Sequence, residues 1–386
     1  MDIKIFTKIL KDKHFTDYRK MKYKYSADFD DFLQTLEELY YKKIPLCDFD
    51  GNEIVFIENH AAINKNTVKR LLQPQSQRYG IKVAEDEIVA TSAIESVDFS
   101  RDSVRKILKG MAPDGEQENR ILGIKQGLEF IADTANEISE ENLYKLYMMT
   151  VGNFLVADEK LKRDKYYRHD SVYIVSDHLE HSGLDFKKVP DSMKALVDFI
   201  NTDDEINELV KAAVIHFYFA FVHPYFDGNG RMARLVHLWF LIQKGYQSAL
   251  FIPFSSHIEK SRKEYYEAFS TIEENKKYSG KIDVTPFVLY FINNVYNKMN
   301  EGNASEEVFV IYQEAVKKGL ITEKECSLWK FVLSCYGVEE FSTKQLEKDF
   351  GDAAYATIRD FVRKFEKLTL LSSTKYGARV KYKVVK

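Results

Sequence analysis

Two long apolar runs, LVKAAVIHFYFAFV (209–222) and RMARLVHLWFLIQKGY (231–246), stand on either side of a short polar loop. Each is long enough for a helix, and the first is apolar nearly all round. A helix without a polar face has to be buried, so the rest of the chain must pack around this pair. That requirement predicts a mainly α fold with two central helices. The second run closes on Lys244-Gly245, a helix stop.

The connection reads HPYFDGNGRMAR (223–234). Gly228 and Gly230 let the backbone turn its N–H groups inward at the start of the second helix, which makes an anion site by construction. Arg231 and Arg234 are three apart, hence on one face of the first turn, and both can reach phosphate oxygens. Asp227 offers a hard oxygen for a cation such as Mg²⁺. His223, with an ordinary pKa of about 6.5, is the natural general base at neutral pH. Together these groups describe nucleotide-dependent transfer onto a hydroxyl. The loop is not a Walker A motif, since no Gly-Lys-Ser/Thr follows. The plainer alternative is an inter-helix turn beside a packed histidine, and it leaves the shared register of all these residues unexplained.

Elsewhere the pattern divides the chain into three. Residues 1–82 form a small mixed α/β region, with a helix over 29–42 and an Asp-Gly turn leading into a hairpin at 47–59. It ends near the polar stretch QPQSQRYG (73–80). Residues 83–300 are a helical series with helices expected at 139–152, 191–201, 206–222, 231–245, 258–275 and 285–298. One β-hairpin interrupts it within 165–183. NEGNASEE (300–307) is the best linker. Residues 305–386 then run helix, helix, helix, Gly-containing turn, helix and two strands, the order of a winged helix-turn-helix. Lys plus Arg number 56 and Asp plus Glu 59, so the charge of −3 argues against a nucleic-acid binder over its whole surface. Cys47, Cys326 and Cys335 are too few and too scattered for a disulfide framework or zinc site. No membrane span or secretory segment is apparent. A cytoplasmic setting, where ATP is available, is the expectation.

The loop resembles the signature of the Fic family, His-x-Phe-x-Asp/Glu-Gly-Asn-Gly-Arg-x-x-Arg, with Tyr225 in place of the Phe. The extra hydroxyl needs a partner or a water. The resemblance implies a Fic-type helical core over residues 83–300 that moves AMP from ATP to a Ser, Thr or Tyr hydroxyl of a target protein. His223 would deprotonate that hydroxyl and Asp227 would hold Mg²⁺. Asn229, with the Gly228 and Gly230 amides, would hold the α- and β-phosphates, and Arg231 and Arg234 the β and γ. YRHDSVYIV, within 166–176, looks like the family's flap, which pairs with an extended target segment. His178 and His181 are left as polar loop residues. Tyr265 and Tyr266 in SRKEYYEAF are similar to the pair that lines the adenine pocket, although adjacent tyrosines diverge on a helix and plain core packing is an equal alternative.

TSAIESVDFS (91–100) admits two interpretations. Ser92-x-x-Glu95 fits a helix capping box. Thr91-x-x-x-Glu95 instead resembles the Fic inhibitory motif, with Ser96 where Gly or Asn is usual. By that resemblance Glu95 pairs with Arg234, blocks the γ-phosphate space and restrains the enzyme. Relatives also use this Glu to position water for AMP removal. At the C-terminal end, Arg359, Arg363 and Lys367 share a helix face, and Lys375, Arg379, Lys381 and Lys383 load the wing. They form either a DNA-tracking surface or a solvated face. A DNA-binding regulator with a nucleotide-sensing Fic core is therefore the rival to the transferase, and a homo-oligomer stays open.

Overall fold

The computed structural model describes residues 1–72, 81–176, 179–182, 185–300, 306–336, 340–377 and 379–385. The polar stretch 73–80, linker residues 301–305 and His178 lie outside them. The two apolar runs become the antiparallel helices Glu208–Val222 and Asn229–Gln243, and both are buried along almost their whole length. Around them pack helices Ile81–Ile94, Glu116–Ala132, Glu140–Thr150, Val189–Asn201, Phe254–Lys260, Arg262–Ser279 and Thr285–Tyr290, the last running on into a π-helical turn over Phe291–Tyr296. Close packing has local requirements. A Cβ at Gly127 would collide with Thr150, so the helix carrying it can approach Glu140–Thr150 closely. No helix among the described residues is long and apolar enough to cross a membrane.

The N-terminal region packs three helices, Ile3–Leu10, Tyr18–Lys24 and Phe29–Leu39, on their own apolar cluster. The third helix stops earlier than periodicity predicts, because Tyr41–Cys47 pairs with Glu53–Ile57 as an antiparallel hairpin. Ile282–Asp283 adds a short parallel strand to the hairpin from far along the chain. Ile44, Leu46, Ile54 and Phe56 join the main core, so this hairpin is fused to the helical body.

The interrupting hairpin pairs Tyr173–Ser176 with Leu179–Ser182, which places His181 in a strand and not in a loop. Two hydrogen bonds hold its root. Arg168 N–H donates to the Pro224 carbonyl at 2.9 Å, and Tyr167 Oη donates to Glu140 at 2.8 Å.

Residues beyond the linker gather around a separate core that includes Trp329, Phe341, Ile358, Phe361, Phe365 and Val384. Helices Glu306–Lys317, Glu323–Cys335, Thr343–Phe350 and Tyr355–Lys367 precede the hairpin Leu371–Tyr376/Arg379–Val384. Thr322 and Glu325 form a full capping box at the start of the second helix.

Candidate active site

The loop between the two buried helices is built by backbone conformation first. His223 ends helix Glu208–Val222 in the left-handed region, at φ 54° and ψ 60°. Gly228 has φ 79°, and a Cβ there would lie 2.6 Å from Val151, so glycine is required on both counts. Asn229 closes the loop. Its Oδ1 accepts from Tyr225 N–H at 2.9 Å, and its Nδ2 donates to the Tyr225 carbonyl at 2.9 Å. That reciprocal pair commits the side chain to the loop, so the backbone N–H is what Asn229 has left for an anion.

Tyr225 is fully buried and stacks on Tyr147 with ring centroids 3.6 Å apart. Its hydroxyl has no partner among the described residues. The ring anchors the loop as a phenylalanine would, and the additional oxygen is carried at a cost.

His223 Nδ1 lies 3.3 Å from the Ala220 carbonyl. With the proton on Nδ1 donated there, the lone pair is on Nε2. Burial pushes the imidazole down to about 4, with Arg168 adding to the effect and Glu95 and Asp227 opposing it. The ring is therefore neutral at pH 7. Asp227 is about half exposed, and Arg231 Nη2 donates to it at 3.1 Å. Among the described residues no group of three His, Cys, Asp or Glu converges as a metal site. One exposed carboxylate does suit Mg²⁺ where phosphates supply further oxygens.

Arg234 is 3% exposed. Its Nε donates to Thr91 Oγ1 at 2.8 Å, and its Nη2 donates to the Thr91 carbonyl at 3.0 Å and to Glu95 Oε1 at 2.8 Å. Nη1 has no partner among the described residues. A Cβ built on Gly230 would strike Glu95 Oε1 and come within 3.3 Å of Arg234 Nη1. The Glu95 carboxylate thus sits directly over the N-terminus of helix Asn229–Gln243, where an anion binds.

The two interpretations of Glu95 separate here. Helix Ile81–Ile94 begins well before Ser92, so Ser92 is in its last turn and cannot be an N-cap. Ser92 Oγ makes no hydrogen bond among the described residues. The helix ends in a Schellman arrangement, with Val97 N–H donating to the Ser92 carbonyl at 2.9 Å and Ser96 left-handed at φ 59°. Ser96 occupies the position where the resemblance expects Gly or Asn, for the reason those residues are preferred there. The helix is anchored further back. Glu85 pairs with Arg101 and Arg105 at 2.7 and 2.6 Å, and buried Glu87 accepts from Ser255 N–H at 2.9 Å.

Tyr265 and Tyr266 diverge. Tyr265 is buried, with its hydroxyl 2.9 Å from His216 Nε2, so it belongs to the core and not to a pocket wall. Tyr266 is half-buried, with the Arg262 guanidinium 5.8 Å from its ring centre, and it feels the charges of Glu95 and Arg234. Sequence reasoning missed Arg168, whose guanidinium and backbone N–H reach the carbonyls of His223 and Pro224, and Tyr147, whose stacking no local pattern announces.

The fold and this loop resemble those of Fic proteins, and residues 137–241 match the Fic/DOC family. Among named relatives, the chain is 25% identical over 241 residues to "Protein adenylyltransferase Fic" of Nematostella vectensis, a match over 60% of this chain and 51% of that one. It is 26% identical over 211 residues to "Protein adenylyltransferase fic-1" of Caenorhabditis elegans, over 52% and 37%. The chain thus spans about half or less of the length of these relatives. The crystal structure of a Fic family protein from Desulfovibrio desulfuricans G20 shares the fold, with a TM-score of 0.50 and 20% identity over 84% of this chain and 97% of that one.

Proposed function

We propose that this chain is a protein adenylyltransferase held in check by Glu95. The observation that carries the proposal is the Glu95 carboxylate, which lies on Arg234 and over Gly230, in an anion site beside a neutral histidine. In the transfer, the target hydroxyl oxygen attacks the α-phosphorus of ATP. The bond from that phosphorus to the oxygen bridging the β-phosphate breaks and pyrophosphate leaves. The hydroxyl proton goes to Nε2 of His223. The backbone N–H groups of Gly228, Asn229 and Gly230 cradle the phosphates, with Arg231 and Arg234 reaching the outer ones. Asp227 would hold Mg²⁺, which supplies charge neutralisation on the phosphates when bound. Tyr266 is the candidate for the adenine side. The strand Tyr173–Ser176 would pair with an extended segment of the target.

Incubating the full chain with α-labelled ATP and Mg²⁺ tests this. Label should remain on protein after denaturation, and His223→Ala should abolish it. Label retained by that variant would remove His223 from the mechanism.

A second activity is supported by the C-terminal unit, which we read as a winged helix. Arg359, Arg363 and Lys367 are exposed on helix Tyr355–Lys367, and Lys375, Arg379, Lys381 and Lys383 are exposed on the hairpin. Duplex DNA is the partner that such a face fits.

A further inference from the structure

Arg168 is an arginine that the phosphate chemistry does not use, yet it is only 2% exposed. Burying a guanidinium is costly unless its donors are satisfied. Its Nε–H donates to the His223 carbonyl at 2.8 Å and its Nη1–H to the Asp170 carbonyl at 2.8 Å. Its own backbone N–H donates to Pro224 at 2.9 Å. One residue therefore grips two successive carbonyls of the catalytic loop and one carbonyl of the flap.

His223 needs such a grip. It is a non-glycine residue in the left-handed region, which persists only where the surroundings fix it. The turn takes its carbonyl off the end of the helix, where a donor has to be found. On the neighbouring side, Tyr167 packs 6.3 Å from the Tyr225 ring. The pair Tyr167–Arg168 thus fastens the flap root to both faces of the loop.

Resting on the reading of His223 as the base, we propose that Arg168 is a positioning residue that fixes the backbone of His223 and joins the base to the root of the flap. Arg168 acts through the histidine and not on nucleotide or target. A target strand added to the flap then bears on the same residue that orients the base. The charges that reach the imidazole are Arg168, which lowers its proton affinity, and Glu95 and Asp227, which raise it, all on top of burial.

The test uses Arg168→Gln and Arg168→Lys in the full chain. With ¹³C-labelled histidine, the His223 ring resonance is identified by its loss in His223→Ala and titrated without nucleotide. Arg168→Gln should raise the midpoint from about 4 towards the ordinary 6.5, and Arg168→Lys should fall between parent and Gln. In a Glu95→Gly background, kcat for self-labelling should drop by about 10- to 100-fold with little change in KM for ATP. A merely structural arginine would lower the melting temperature and leave the His223 titration and the kcat per folded molecule at parental values. That result would overturn the proposal. Should Arg168→Gln fail to fold, Arg168→Lys keeps the buried cation and decides the matter by the same two readouts. If Glu95→Gly shows no transfer at all, the transferase reading fails, and the titration still judges Arg168.

Discussion

Glu95→Gly is the perturbation for which the structure gives a magnitude. Arg234 is 3% exposed and Glu95 27%, with 2.8 Å between Nη2 and Oε1. A hydrogen bond to a charged group contributes about 1.5–3 kcal/mol. The partial exposure of Glu95 places this pair in the lower half of that range. Under the proposed restraint ATP must displace the carboxylate before its γ-phosphate can use Arg234, so the pair's strength is subtracted from productive binding. At ~1.4 kcal/mol per factor of ten, removing the carboxylate should raise AMP transfer about 10- to 40-fold. The arginine should stay in place, because Thr91 still holds Nε and Nη2. Two assays on one sample read the outcome, self-labelling with α-labelled ATP and the melting temperature with and without nucleotide. The variant should melt earlier than parent when empty, because a buried cation has lost its anion, and should regain more than parent on adding ATP and Mg²⁺. Unchanged labelling together with equal nucleotide shifts in both proteins would refute a competing carboxylate.

Five further outcomes are expected. Burial holds His223 at about 4, so the acid limb of kcat/KM should fall near pH 4 and not near 6.5, and a midpoint at 6.5 would contradict a buried base. The same depressed pKa makes folding less favourable as pH drops from 6.5 through 4, since the unfolded chain takes up the proton first, and acid titration of stability reads this. Asp227→Ala should shift the Mg²⁺ response of transfer to higher concentration, and superimposable Mg²⁺ titrations would remove Asp227 from that role. Tyr225→Phe deletes a buried hydroxyl without a partner, so urea denaturation should show a gain of about 1 kcal/mol, whereas a loss would mean that the hydroxyl is bonded in solution. Duplex DNA should bind the full chain at low salt and release as salt rises, and Arg359→Glu with Arg363→Glu should abolish the shift; equal binding by that variant would rule out this face.

The loop at 223–234 was legible because its chemistry is local. Glycines, acid, base and arginines stand at fixed offsets, and two apolar runs place them at the junction of buried helices. Glu95 was half legible. The letters allow a cap in one register and an inhibitory carboxylate in another, and the choice rests on whether a helix starts or stops at Ser92. A start at Ile81 is written in no capping residue, since the preceding stretch is polar without a clear signal. Tyr265 and Tyr266 were ambiguous for a geometric reason, because neighbours on a helix point about 100° apart and only tertiary contacts say which faces the core. The strand at Ile282–Asp283 is two residues long and gains its identity from a partner more than 200 residues away, so no window could contain it. Arg168 was invisible because its grip on the loop is through the carbonyls of His223 and Pro224, and any residue type supplies a carbonyl.

The two positions where this chain departs from the family pattern, Tyr225 and Ser96, leave the phosphate site untouched and act on what supports it. Tyr225 keeps the aromatic anchor, stacked on Tyr147, and adds an unsatisfied oxygen beneath the loop. Ser96 keeps the left-handed turn that ends the helix but without glycine's freedom, at a cost of about 1–2 kcal/mol. That turn directly follows Glu95, so its strain falls on the last turn of the helix that presents the carboxylate to Arg234. A strained helix end opens more readily than a relaxed one, and under the proposed restraint opening is what gives ATP access to the arginine. Thr91 lies one turn back and holds Arg234 whether or not that end is closed. The restraint proposed for Glu95 is therefore divided in two, with Thr91 the firm part that keeps the arginine aimed at the proposed phosphate site and the strained turn the looser part that decides which anion it holds.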